Sequence, residues 1–523
     1  MAIPFFVIFF SSIKVDHNTW SHIYTYLFSD YITNSIILFI GVTILTLILG
    51  VTSAWFTSFY NFPLRKTIST FLILPIIIPP YAVAYCYADF TDKGGSLTDI
   101  LQRFGMEEFI FLIPSVRSLP GAIFILALTL YPYVFIITQY SFSNNAKKII
   151  ESAANLGANR ITLLFKFALP IARPALVAGV TLVIMECLAD FGVVHFLGVD
   201  TLSVGIYKAW FGLDDVNSSA RIATILLAFT FCIILLERFL RKNQHEKFVN
   251  YGKKSDISLL FKSKKALPFI ILSLIIFFSF FIPLIWLLSS AIKNDYNSLI
   301  EVLVAAYNSL KLALFGSLII VTIATIVTFT KRIYKKSILT IVLNFTKIGY
   351  ALPGIVIAIG VISPIIYFDK KINYFFKLFG YDIGLIISNS LFILLFAYLV
   401  RFLSVAFNPI EAGFEKISEK IDYSAMNLGA TKNKSLFNLH LPMISISCFI
   451  GFLLVFIDIL KELPITLILR PMNYNTLAVT TFEYASSEQL NAAALPALLI
   501  TLIGFMILVL ISLIIKSNAG EKL

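Results

Sequence analysis

Two pairs of acidic residues fall in otherwise apolar stretches. Glu186 and Asp190 are four residues apart, and so are Asp458 and Glu462. The second pair repeats the first at an offset of 272. A spacing of four puts both carboxylates of a pair on one helix face. Acids within or at the end of a membrane span are costly and mark ion pathways or gates. Two such helices facing each other across a pseudo-twofold would line a passage with up to four carboxylates. That arrangement favours a cation or a cationic complex. Three roles stay open at this point: lining or gating, ion pairing with Lys461 and Arg470, and direct metal ligation.

Other reactive residue types form no constellation. His17, His22, His195, His245 and His440 are scattered, without a partner at metal-ligand spacing. Cys86, Cys187, Cys232 and Cys448 sit inside apolar segments and read as small packing residues, not as a metal site or disulfide framework. A nucleotide-binding phosphate loop is missing; Gly252-Lys253-Lys254-Ser255 lacks the leading glycine. No catalytic residues, cofactor or resident metal are expected.

A polar, glycine-centred stretch is written twice at the same offset of 272. Glu151-Ser152-Ala153-Ala154-Asn155-Leu156-Gly157-Ala158 is followed by Leu169-Pro170. Tyr423-Ser424-Ala425-Met426-Asn427-Leu428-Gly429-Ala430 is followed by Leu441-Pro442. The pattern predicts a helix over 146–156, a break at Gly157, and a second short helix over 159–168 ended by Leu169-Pro170. Gly157 and Gly429 permit a left-handed turn. Ala153, Ala154, Ala425 and Ala430 are small enough to let a partner approach closely, as a knob entering a groove.

The elements that must position these residues are membrane spans. Of 523 residues, 59% are hydrophobic and 13% charged, with 50 Phe. That is too apolar for a soluble chain of this size. Runs such as Ile36–Trp55, Leu267–Leu288, Leu310–Thr328 and Ala493–Ile515 each reach the roughly 20 residues a spanning helix needs. Others fall near 68–88, 118–142, 175–195, 222–240, 338–366, 384–407 and 446–465. About twelve spans are expected, six per half, in an all-α polytopic membrane protein. Continuous rather than alternating runs exclude a transmembrane barrel. The net charge of +12 comes from basic residues in alternate loops, including Arg65, Lys66, Arg160, Lys166, Lys331 and Arg332. This positive-inside pattern places both repeats on the cytoplasmic side and argues for membrane rather than nucleic acid.

The duplication reaches further. Asn34-Ser35 matches Asn308-Ser309, Pro80 matches Pro353, and Ile3-Pro4 resembles Ile282-Pro283. The expected organisation is a first half over 1–240, a basic cytoplasmic linker over 241–265, and a second half over 266–523, with the halves parallel. Pro283 lies inside a span that begins near Leu267, whereas only about a dozen apolar residues surround Pro4, too few to cross. A late start or a truncated first helix is expected.

The repeat resembles the EAA loop of permeases in the ATP-binding cassette importer class. The first copy keeps the glutamate as Glu151; the second has Tyr423 there. Flanking stretches are similar to fused ferric-iron importer permeases: Ile78-Pro79-Pro80-Tyr81, Glu186 to Gly192, Phe196 to Asp200, Gly205 to Trp210, Lys461 to Pro471 and Ala493 to Ala497. The resemblance implies a bacterial inner-membrane permease whose two loops seat in two ATP-binding subunits, as a homodimer. It implies a periplasmic or lipid-anchored binding protein on the other face and ferric iron as cargo. Thiamine, phosphonate, sulfate or polyamine cargo shares this architecture, and a proton-coupled secondary transporter is the reading from another class. Outer loops near 196–218 and 466–490 are candidates to meet the binding protein. Tyr207, Trp210, Tyr474 and Tyr484 act there either as contacts or as interfacial belt residues.

Overall fold

The computed structural model describes residues 3–13, 17–92, 94–106, 108, 114–143, 147–242, 266–293, 299–334 and 349–520. Among them there is no strand. The helices of the first half used below are α1 (Ile3–Ile13), α2 (Phe28–Phe59), α3 (Pro80–Thr91), α4 (Leu119–Ser141), α5 (Lys147–Asn155), α6 (Arg160–Ala189), α7 (Gly192–Phe196), α8 (Leu202–Tyr207) and α9 (Val216–Lys242). Those of the second half are α10 (Leu267–Lys293), α11 (Leu299–Tyr334), α12 (Gly354–Lys377), α13 (Leu391–Glu415), α14 (Glu419–Asn427), α15 (Lys432–Lys461), α16 (Pro464–Leu469), α17 (Leu477–Ser486) and α18 (Leu490–Gly520). They correspond one to one, α1 with α10 through α9 with α18. The chain is an all-α polytopic membrane protein with a tandem repeat.

Among the described residues nine helices are long and apolar enough to cross a membrane, or ten if one bent pair counts as a span. That is fewer than the expected twelve. Of the expected spans, 338–366 begins outside the described residues, as does the linker from 243 to 265. The run near 68–88 is not straight: Arg65–Ile77 and the segment from Pro80 meet at 92°. Two prolines explain the bend. Ile78 and Pro79 are extended (ψ 126° and 132°), as residues before proline prefer. Pro353 repeats this geometry (ψ 134°) before α12.

Two compact units are present. One comprises Asp16–Asn294 and Ala485–Leu498; the other comprises Met1–Val15, Asp295–Tyr484 and Leu499–Leu523. In the first, α2, α4 and α6 pack mutually; in the second, α11, α13 and α15 do the same. Glycines let these backbones close up, as is usual between membrane helices. A methyl at Gly50 or Gly179 would press on Val134, and one at Gly316 would press on Ile459. Each unit holds the leading helix of the other half. Pro4 and Ile8 of α1 lie against Gly360 of α12. In the other unit, α10 is joined to α3 by Trp286 Nε1 donating to Asp89 (2.8 Å) and by Tyr87 donating to the Phe278 carbonyl (2.7 Å).

The duplicated Asn-Ser pairs do the same work in each half. Asn34 Nδ2 donates to the Asp200 carbonyl (2.9 Å), and Ser35 Oγ accepts from Leu202 N at the start of α8 (3.0 Å). Asn308 donates to the Asn475 carbonyl (3.1 Å), and Ser309 Oγ accepts from Leu477 N at the start of α17 (2.7 Å). Both pairs thus tie a short outer helix to the first long span. Ser309→Ala would leave the buried Leu477 N–H unpaired, costing about 1–3 kcal/mol. A lower melting temperature in detergent is expected, with Ser309→Thr, which keeps the hydroxyl, avoiding most of the loss.

Candidate functional site

The glycine-centred stretches form closed hairpins. Gly157 and Gly429 have φ of 88° and 78°, in the left-handed region where a side chain is strained. Ala158 N donates to the Ala153 carbonyl (3.1 Å) and Gly157 N to the Ala154 carbonyl (3.0 Å), the paired bonds of a Schellman stop. Ala430 N donates likewise to the Ala425 carbonyl (3.0 Å). The next helix starts at once. Asn159 accepts from Thr162 N (2.8 Å), and Thr431 accepts from Lys434 N (3.4 Å).

The second arm is not the separate short helix that the sequence suggested. It runs unbroken into α6 and α15, through one π turn each, over 163–168 and 435–440. Pro170 and Pro442 have no N–H to give, and the ladder widens just before them. Leu169 N reaches the Leu164 carbonyl and Leu441 N the Leu436 carbonyl, five residues back. Leu-Pro therefore opens the span rather than ending the hairpin.

Exposure separates the residues of the two hairpins. Ala153 is buried in its own protein, so it is not open to a partner. Leu156 and Leu428, at equivalent positions of the two tips, are each 88% exposed. Two bare leucines at the end of a polar hairpin are an apolar knob. Sequence reasoning passed over them because an exposed leucine looks like a core residue. Glu151 is half-buried, and its counterpart Tyr423 is exposed.

Different chemistry holds the two hairpins. In the first, Ile150 is fully buried, and Trp55, Phe59 and Phe142 form an aromatic cluster. In the second, Asp422 stands at the Ile150 position and meets Arg332 Nε at 2.7 Å and His440 Nε2 at 2.8 Å. Arg332 also donates to the carbonyls of Phe414 (2.5 Å) and Ile417 (2.8 Å). His440 is fully buried between the rings of Phe329 and Phe414, where the first half has Ala168. Lys432 adds a hydrogen bond to Tyr334 (2.8 Å).

The acids do not stay paired on one helix face. Glu186 and Asp458 are within the spans, but Asp190 and Glu462 lie just past the ends of α6 and α15. There each closes the N-terminus of the next short helix. Asp190 Oδ1 accepts from Val193 N (3.1 Å) and Val194 N (3.4 Å) of α7. Glu462 Oε1 accepts from Ile465 N of α16 (3.2 Å). The expected pair of Lys461 with Asp458 is present (3.0 Å). Arg470 binds Glu483 and Asn475 instead of Glu462. Glu462 pairs with Arg401 (3.0 Å), both buried. Arg401 sits in a span whose run of apolar neighbours hid it. Among the described residues no cluster of three or more His, Cys, Asp or Glu could hold a metal.

These features belong to a recognisable class. Residues 46–244 match the family described as binding-protein-dependent transport system inner membrane component. The chain is 24% identical over 482 residues to the Fe(3+)-transport system permease protein FbpB 2 of Haemophilus influenzae, covering 91% of this chain and 88% of that one. It is 25% identical over 216 residues to a probable molybdenum permease of Haloferax volcanii (41% of this chain, 76% of that one). It is 27% identical over 187 residues to the sulfate permease CysT of Salmonella typhimurium (35% and 65%). Over residues 46–244 the chain is thus similar to binding-protein-dependent transport permeases. It is a multi-pass protein of the inner membrane.

In this permease the outer aromatics have internal duties. Tyr207 stacks among Phe191, His195 and Phe211. Tyr474 donates to the Asn308 carbonyl (3.2 Å), and Tyr484 donates to Glu301 (2.8 Å). Trp210 lies beside Phe211. Cys232 is exposed, not packed in the core; Cys86 and Cys187 are buried.

The buried triad sets a stability prediction. Asp422→Ala strands Arg332 and should cost about 3–5 kcal/mol. Asp422→Ile with Arg332→Ser and His440→Ala, which copies the first half, should recover most of that loss. Thermal unfolding of the wild type and these two variants measures the recovery.

Proposed function

We propose that the permease imports ferric iron, delivered by an extracytoplasmic binding protein and driven by two identical ATP-binding subunits on separate chains. The two hairpins are its docking elements for those subunits. What carries this reading is the pair of exposed leucines, Leu156 and Leu428, on tips that continue without a break into α6 and α15. A subunit that grips such a tip moves the whole span. The acids at the far ends of these spans favour a cation as cargo.

The ferric cargo is supported by the similarity to an Fe(3+)-transport permease, which extends over both halves. The molybdenum and sulfate permeases align over about one half. An oxyanion cargo is the second reading, favoured by those relatives. Carboxylates such as Asp190 count against it, because an anion would be repelled there.

The test is uptake of radiolabelled ferric ion by a deletion strain supplied with the permease, its ATPase and its binding protein. Uptake that excess molybdate and sulfate do not compete away supports the reading. Uptake of molybdate or sulfate but not iron replaces the cargo. Leu156→Asp with Leu428→Asp should abolish uptake and binding-protein-stimulated ATP hydrolysis, with membrane levels unchanged. Persisting stimulation would remove the hairpins from the coupling route.

A further inference from the structure

At the outer ends of their spans the two halves differ in charge. In the second half three residues fit together. Glu462 takes the cap of α16, Arg401 neutralises it at 3.0 Å, and Gly354 leaves room for both. A Cβ at Gly354 would overlap the Arg401 guanidinium and the Glu462 carboxylate. The first half has Asp190 at the Glu462 position, Thr129 at the Arg401 position and Tyr81 at the Gly354 position. Thr129 Oγ1 turns back to the Ile125 and Leu126 carbonyls of its own helix (3.2 and 3.1 Å). Arg117 lies over the Phe196 ring of α7 (4.8 Å), but it is committed to Asp92 (3.1 Å) and Glu488 (3.2 Å). No cation among the described residues pairs with Asp190. One of its oxygens caps α7, and the other has no hydrogen-bond partner among the described residues.

A second observation points to a ligand. Tyr85 is 1% exposed, and its hydroxyl has no hydrogen-bond partner among the described residues. It lies within electrostatic reach of Asp190, and its ring meets Phe196 edge-on at 4.4 Å, on the helix Asp190 caps. Native proteins rarely leave a buried hydroxyl unpaired.

We infer that Asp190 and Tyr85 form a station for a hard, oxygen-seeking multivalent cation in transit, and that the second half has lost the equivalent station to Arg401. This rests on the reading of the cargo as a cation. A carboxylate and a phenol oxygen are hard donors that suit a small, highly charged ion. Two donors are too few to store it, and weak binding is what passage requires. Installing an arginine cancels the charge, which is the chemistry the second half displays.

Asp190→Asn separates the station from the cap, because Asn keeps an oxygen for Val193 N and Val194 N. Two readouts apply. Terbium(III), a hard trivalent probe excited through nearby tyrosine, is titrated into purified permease. Ferric uptake is measured in the complete system. Wild type should show a saturable tyrosine-sensitised signal that Asp190→Asn and Tyr85→Phe each reduce and Asp458→Asn spares. Uptake should fall at least 10-fold in Asp190→Asn with ATP hydrolysis retained. Tyr81→Gly with Thr129→Arg, grafting the second-half arrangement, should do the same. Terbium emission and uptake unchanged in Asp190→Asn would overturn the station and leave Asp190 a cap only. An Asp190-dependent terbium signal in a permease that carries no iron would keep the station and remove the ferric cargo.

Discussion

The architecture depends on one constraint: a helix that ends among apolar neighbours must still satisfy its backbone groups. Hydrocarbon supplies no partners, so every break in a span needs a polar atom from the protein itself. This chain breaks its spans at equivalent places in each half and closes them with the same devices. A carboxylate, Asp190 or Glu462, takes the free N–H groups of α7 or α16. A serine, Ser35 or Ser309, takes those of α8 or α17. These few side chains fix where the short outer helices lie relative to the long ones. The acids are therefore structural by position before they are anything else, and any role toward cargo has to be added to the cap.

Duplication then supplies an internal control. With the backbone conserved between halves, differences in side chains isolate what each site needs. Ser58, Ile150 and Ala168 in the first half are replaced by Arg332, Asp422 and His440 in the second. Tyr81, Thr129 and Asp190 are replaced by Gly354, Arg401 and Glu462. Both exchanges put a buried ion pair where the other half has none among the described residues. A buried ion pair gains little over well-packed apolar residues, because desolvation offsets its attraction. Stability alone does not explain the replacements. They enforce one geometry in the second half, while the first half keeps an unneutralised carboxylate at its outer end.

Much of this was legible in the sequence. The repeat offset of 272, the apolar runs and the basic loops led to the helical, duplicated membrane protein. Gly157 and Gly429 announced their left-handed turns, and the Asn-Ser pairs announced equivalent positions. Some of the differences arise because partners distant in sequence decide local outcomes, others from the local geometry around prolines. Leu-Pro at 169–170 reads as a stop, yet a π turn absorbs the missing N–H and the helix continues. Glu462 reads as a partner for Arg470, yet Arg401 on α13 is the residue that reaches it. Ala153 reads as a docking surface, yet it faces its own protein. The run near 68–88 reads as one straight span, yet prolines bend the chain at Pro79-Pro80.

The unbroken run from hairpin to cap has a mechanical meaning. Thirty residues of α6 extend about 45 Å. One covalent rod therefore joins the Leu156 tip to Asp190. The Schellman stop at Gly157 and the Asn159 cap leave little slack between α5 and this rod, so a push on the tip is not absorbed at the turn. The same holds from Leu428 to Glu462 along α15. The rods differ in one respect: Pro174 interrupts the hydrogen-bond ladder inside α6, whereas α15 has no proline beyond Pro442 at its start. A proline of this kind lets a helix bend at low cost. The stiffer rod is the one whose hairpin is held by Asp422 and whose outer acid is held by Arg401. The more compliant rod ends at the carboxylate that remains open. Movement imposed equally at both tips would thus reach Asp190 and Glu462 unequally.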